Sequence, residues 1–143
     1  MFVKKSVFEV IEKSVTNLRY ETGGILGARD EIITEIVMDL PKTDVSPACS
    51  YEPNVDFLND RIAKWGVEGI AFQGVFHTHF ANVKTLSSAD EEYIYSIMCA
   101  MPPSINKLYF PVFTLPDCKL TGYSATKYVD KVIIDGELVE IVE

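Results

Sequence analysis

The chain reads as an α/β fold, with helices packed on a β-sheet. Two observations predict it: segments of helical periodicity interleave with short apolar segments rich in β-branched residues, and the chain is large and apolar enough to build one core. It has 143 residues, 48% of them hydrophobic, so a single packed domain over residues 1–143 needs neither disulfides nor repeats.

Taken in order, Val7, Ile11, Val15 and Leu18 recur at helical spacing, with Glu9, Glu12, Lys13 and Asn17 opposite, which predicts an amphipathic helix over about 5–19. Thr22 to Gly27 and Ile32 to Val37 flank the turn-like Arg29-Asp30 and predict an antiparallel pair. Gly23 and Gly24 weaken the first of these strands and signal a close approach to its backbone. Asp39 to Pro53 is the longest expected loop. Val55, Leu58, Ile62 and Trp65 form the buried stripe of a second helix with Gly66 as its stop signal, and Ile70 to His77 follows as a buried strand. Ser87 or Ser88 can cap a third helix that carries Asp90, Glu91 and Glu92 in its first turn and Ile94, Ile97, Met98 and Met101 on its apolar side. Met101-Pro102-Pro103 ends it. Leu108 to Leu115 and Leu120 to Ala125 read as strands, and Asp135-Gly136 as the turn of a closing hairpin between Val132–Ile134 and Leu138–Ile141.

Composition narrows the function. A net charge of -8 opposes a phosphate backbone, and no stripe of Lys and Arg offsets it, which argues against nucleic acid. No apolar stretch approaches the roughly 20 residues of a membrane span, and Glu9, Glu12 and Lys13 interrupt any signal-peptide core. Cys49, Cys99 and Cys118 are odd in number and widely spaced, as reduced structural cysteines of a cytoplasmic protein would be.

His77 and His79 are the only histidines. In an extended strand their rings point to one face while Thr78 points to the other, so both can reach one ion at about 2.0–2.1 Å. Asp90, eleven residues on, can add a carboxylate oxygen if the third helix folds back over the strand end. Two His and one carboxylate leave a fourth position open, the pattern of a catalytic zinc. Glu21, directly before the Gly-Gly strand, is the candidate acid/base, and Ser87 a candidate donor to a developing oxyanion. Each residue also has a plainer reading. The histidine pair alone matches a half-buried strand, Asp90 a helix-dipole acid, Glu21 an exposed residue after a helix, and Ser87-x-x-Asp90 a capping box. Cap and oxyanion roles coexist if Ser88 takes the cap. Other hydrolase patterns fail: there is no His-Glu-x-x-His, and no deaminase His-x-Glu with Pro-Cys-x-x-Cys.

Glu21, His77-x-His79 and Ser87-x-x-Asp90 at this spacing resemble the JAMM motif of the MPN+ (JAB-type) zinc metalloproteases. Glu21 to Gly27 is similar to that family's Glu-x-Gly-x-Leu-x-Gly strand, Ser46-Pro47 with Tyr51-Glu52-Pro53 to the loop before its second helix, and Leu108 to Tyr123 to its later strands. The resemblance covers the chain to about Ala125. It implies a curved mixed sheet flanked by helices, the cytidine-deaminase-like MPN/JAB domain, with one Zn2+ held by His77, His79 and Asp90. Glu21 is then the acid/base and Ser87 the oxyanion partner. The implied activity is hydrolysis of a peptide or isopeptide bond after the C-terminal glycine of a ubiquitin-like or sulfur-carrier protein with a Gly-Gly tail. A non-catalytic MPN scaffold and an exopeptidase trimming such a tail are the alternatives. Two features depart from the family: Phe80 stands where many members have Pro, and the length is close to the minimal domain, as in small stand-alone prokaryotic members.

Overall fold

A computed structural model describes residues 1–39, 51 and 53–143. The expected loop between Asp39 and Pro53 falls almost wholly outside these residues, as do Cys49 and the Ser46-Pro47 and Glu52 of the resemblance.

Among the described residues nine strands form one mixed sheet. Its centre is β4 (Ala71–His79), antiparallel to β2 (Gly23–Arg29) on one side and parallel to two short strands on the other, β5 (Lys107–Tyr109) and β6 (Val112–Thr114). Outward from β2 come β3 (Ile32–Met38), β1 (Phe2–Lys4) and β9 (Glu140–Val142). On the other side β7 (Lys119–Lys127) pairs with both β5 and β6, and β8 (Val132–Glu137) lies outside it.

Alternation along the strands divides the core. Ile25 and Val75 join Leu108, Phe110 and Ala125 on one face, covered by Leu58 and Trp65 of α2 (Val55–Glu68) and Ile94 and Met98 of α3 (Ser88–Ala100). Leu26 and Phe76 join Val3, Ile33 and Phe113 on the other face, covered by Val7, Ile11 and Val15 of α1 (Lys5–Val15). His77 and His79 continue the parity of Val75 and therefore face α3.

The expected close approaches at the paired glycines are present. A Cβ on Gly23 would lie 2.6 Å from the Tyr51 ring, and one on Gly24 would lie 2.3 Å from the Val37 carbonyl. A register shift between Leu26 and Gly27 marks a bulge in the β2–β4 pairing, where Gly74 (φ 153°) lets the Tyr109 carbonyl come closer than any Cβ would allow.

Several boundaries depart from expectation. The first helix stops at Val15, where the Thr16 hydroxyl bonds back to the Glu12 carbonyl, and β1 precedes it unannounced by any alternation long enough to read. The β2–β3 turn is centred on Asp30 and Glu31 (φ 51° and 66°), one residue later than Arg29-Asp30. Gly66 lies inside α2 facing open space, and the left-handed cap falls at Gly69 (φ 75°), whose N–H donates to the Trp65 carbonyl. Val55, as the helix's first residue, is 61% exposed rather than buried. Pro111, without an N–H, divides the expected Leu108–Leu115 strand into β5 and β6.

The Asp135-Gly136 hairpin is absent. Neither residue has the positive φ that a tight hairpin turn requires, and β8 runs straight through both while pairing with β7. The chain then crosses to the opposite edge, where β9 pairs in parallel with β1. No helix among the described residues is long and apolar enough to cross a membrane.

Candidate metal centre

β4 delivers both histidines within its last residues, at the end where β6 pairs with it: His77 lies opposite Val112 and His79 opposite Thr114. α3 begins at the same end. Its N-cap is Ser87, whose Oγ accepts the Asp90 N–H at 3.1 Å, while Asp90 Oδ2 accepts the Ser87 N–H at 2.8 Å. This capping box turns the Asp90 carboxylate toward the strand end. Of the two expected candidates, Ser87 and Ser88, it is therefore Ser87 that takes the cap. The hydroxyl only accepts in this bond, so its own proton stays available.

Three side chains of ligand type converge. His77 Nε2 lies 3.0 Å from His79 Nε2 and 3.3 Å from Asp90 Oδ1, and His79 Nε2 lies 3.1 Å from Asp90 Oδ2. Bonds of about 2.0–2.1 Å to a tetrahedral ion separate donors by about 3.3–3.4 Å, close to these spacings. All three residues are buried, with His77 at 0% exposure. Lone pairs crowded this closely repel unless a cation or a proton lies among them, so the group could bind a metal ion.

The outer nitrogens are engaged elsewhere. His79 Nδ1 lies 2.9 Å from the Val83 carbonyl, to which it donates, and His77 Nδ1 lies 2.8 Å from the Tyr93 hydroxyl. Such bonds orient ligating imidazoles and leave Nε2 for the ion. The charges follow the same geometry. The bond to Asp90 holds His79 above its ordinary pKa against the opposing cost of burial, with smaller help from the Val83 carbonyl and from Glu21. Burial pushes the Asp90 carboxyl up, but its bonds with His77 and His79 outweigh this and hold it well below the usual carboxylate range. Burial keeps the Tyr93 phenol protonated.

Glu21 stands just before β2. The antiparallel register pairs Gly23 with His77, and Thr22 with Thr78 through Thr78 N–H to the Thr22 carbonyl at 2.8 Å. One step further puts Glu21 opposite His79 and on the same face. The Tyr51 N–H donates to Glu21 Oε2 at 3.3 Å, and the Tyr51 hydroxyl donates to Asp39 Oδ2 at 2.8 Å. The Tyr51 ring meets the Tyr93 ring edge-on with centroids 6.4 Å apart, closing an aromatic wall beside His77.

All five expected residues thus lie at one end of β4. Sequence reasoning missed Tyr93, Val83 and the Asp39–Tyr51 pair. Tyr93 had a readable signal, since it follows Asp90 by three residues and so shares its helix face. Val83 acts through its backbone, which no side-chain pattern reveals. Phe80, half-buried, packs toward the α1 face, away from the histidine side chains, where it lines an apolar recess with Leu18 and Leu115.

No family model matches this chain, and neither does any curated protein. Solved structures do. A protein of Desulfitobacterium hafniense, determined in solution, is 22% identical with a TM-score of 0.66, over 100% of this chain and 94% of that one. A solution structure from Salinibacter ruber gives 16% identity and a TM-score of 0.60, over 100% and 92%. A JAB1/MPN domain protein of Archaeoglobus fulgidus, known from a crystal structure, gives 14% identity and a TM-score of 0.58, with both chains covered in full. The mixed sheet, flanked by three helices among the described residues, has the fold of that JAB1/MPN domain protein.

Proposed function

We propose that this chain is a zinc-dependent hydrolase of the JAMM type, cleaving a peptide or isopeptide bond after the C-terminal glycine of a ubiquitin-like or sulfur-carrier protein. The convergence of His77, His79 and Asp90 within 3.0–3.3 Å, with both Nδ1 atoms engaged elsewhere, carries the reading. When bound, the zinc would polarise the scissile carbonyl and lower the pKa of water toward about 7.

The chain's own residues supply the rest. Glu21, across the strand pair from His79, takes the proton from the attacking water and returns it to the leaving amine. The Tyr51 N–H holds Oε2 of its carboxylate, and Oε1, with no partner among the described residues, makes that transfer. Ser87, exposed at the helix cap with an uncommitted hydroxyl proton, donates to the oxyanion as charge develops.

The strand order bears on how a tail would arrive. Its outer edges, β8 and β9, lie at least three strand spacings from β4, about 14 Å, so a strand added there does not end at the centre. In our reading the narrow Gly-Gly tail instead enters across the end of β4. Free thiols at Cys99 and Cys118 suit action in the cytoplasm.

The test is incubation with candidate Gly-Gly-tailed fusions, with and without a chelator, read by mass spectrometry. Expected are products ending in Gly-Gly, lost with the chelator, restored by zinc, and absent with Glu21→Gln. Undiminished cleavage by Glu21→Gln would refute the mechanism. Stepwise loss of single residues would favour the exopeptidase. A non-catalytic scaffold has no need of the donor set that this chain keeps.

A further inference from the structure

Asp39, directly after β3, is a buried carboxylate to which the proposed chemistry gives no part. Its backbone is tied to the residues that follow Glu21: its N–H donates to the Gly23 carbonyl at 2.8 Å, and its carbonyl accepts the Thr22 hydroxyl at 3.4 Å. Its side chain gathers two donors on one oxygen. Oδ2 accepts the Tyr51 hydroxyl and the Asn54 N–H, each at 2.8 Å. We infer that Asp39 is a positioning residue: by holding the Tyr51 hydroxyl it fixes the Tyr51 N–H that aims Glu21. The inference rests on reading Glu21 as the acid/base.

Each link depends on the one before it. Glu21 is half-buried, and a long, flexible side chain keeps one direction only if something binds its head. Among the described residues the Tyr51 N–H does so, 3.3 Å from Oε2, a long bond that restrains little unless Tyr51 itself is held. Tyr51 is held at its far end. Its ring lies so close to Gly23 that a Cβ there would be 2.6 Å away, and Asp39 takes its hydroxyl. Burial first, and then the Asp39 carboxylate, keep the phenol protonated, so Tyr51 donates and Asp39 accepts. A hydrogen bond to a carboxylate is roughly twice as strong as one between neutral groups.

A purely structural role is the alternative. Asn54 is the N-cap of α2, so its bond to Asp39 also steadies the start of that helix. Helix stability accounts poorly for the whole group, however: Oδ1 is buried with no partner among the described residues, and an unmet buried acceptor costs stability. The two roles part at Tyr51. Its hydroxyl lies on the path to Glu21 and not on the path to Asn54, so Tyr51→Phe cuts the first and keeps the second.

The experiment combines amide exchange at residue 51, read by NMR on the metal-free full chain, with cleavage of Gly-Gly-tailed fusions by the zinc-loaded chain. In Tyr51→Phe, and in Glu21→Ala, which removes the acceptor, the amide should exchange at least about tenfold faster. Tyr51→Phe should also lower kcat roughly tenfold to a hundredfold, with KM within about twofold and zinc affinity unchanged. Asp39→Ala should match it, and Asp39→Asn, whose oxygen can still accept both bonds, should restore most of each loss. Exchange and kcat of Tyr51→Phe within about twofold of wild type, with Asp39→Ala lowering only Tm, would overturn the inference and leave Asp39 as a helix anchor. If the wild type cleaves no such fusion, the acid/base assignment fails, and the amide alone decides whether Asp39 sets the Tyr51–Glu21 bond. If Tyr51→Phe does not fold, Asp39→Ala against Asp39→Asn decides.

Discussion

Replacing Asp90 with Asn separates metal binding from folding. The carboxylate accepts the Ser87 N–H at 2.8 Å and sits 3.1–3.3 Å from both imidazoles. An Asn oxygen keeps the Ser87 bond, and its amide hydrogens can face the histidine nitrogens, so the metal-free form near pH 8 should lose about 1 kcal/mol or less. The metal-bound form instead loses a buried negative charge against a divalent cation. Breaking a buried charge pair costs about 3–5 kcal/mol, or about 2–4 orders of magnitude in Kd. In wild type, zinc at a hundred times its Kd should add about 2.7 kcal/mol, raising Tm by about 5–10 °C for a domain of this size. The same zinc concentration should leave Asp90→Asn unmoved. Chelator-competition titration and thermal melts with and without zinc measure both quantities. Zinc affinity of Asp90→Asn within about tenfold of wild type would refute the assignment of Asp90 as a ligand.

Three further outcomes follow from particular contacts. The raised pKa of His79 contributes stability that is full below its unfolded value, about 6.5, and is lost as pH rises through the folded value; the lowered Asp90 contributes above about 4 and is lost on acidification. Metal-free protein should therefore gain most from this pair between about pH 4 and 6.5, while zinc affinity rises with pH, and urea melts across pH with and without zinc would show both slopes. Ser87→Ala should lose the cap, about 1 kcal/mol, and slow cleavage about 10²–10³-fold, whereas Ser87→Asp should restore stability but not cleavage, since it caps without a hydrogen to donate. Gly74→Ala would place a Cβ 1.8 Å from the Tyr109 oxygen at φ 153°, and should cost at least about 3 kcal/mol by denaturant melts or prevent folding.

The site was more legible than the frame around it. His77, His79 and Asp90 could be read because strand alternation and a helix cap are short-range rules, and both operate within residues 77–90. Glu21 was a candidate only from its place before the Gly-Gly strand, since its position opposite His79 depends on a pairing of strands distant in sequence. The Asp135-Gly136 turn failed for a related reason. Local turn chemistry allowed a hairpin, but β7 offered β8 six residues of pairing, and β1 at the far edge offered β9 a partner. Gly66 misled because an exposed helix interior tolerates glycine at about 1 kcal/mol, so the residue type alone does not locate the cap. Tyr93 was hidden by its type, because a tyrosine in a helix ordinarily packs and its hydrogen bond emerges only once α3 lies over β4.

The proposed chemistry stands on one zinc bound among His77, His79 and Asp90. Native mass spectrometry of freshly purified protein, wild type beside His79→Ala, tests it most directly. Wild type should carry one zinc per chain, removable by chelator and restored on titration, and His79→Ala should retain none. Wild-type protein that holds no zinc after titration, or His79→Ala that holds it as tightly, would contradict it.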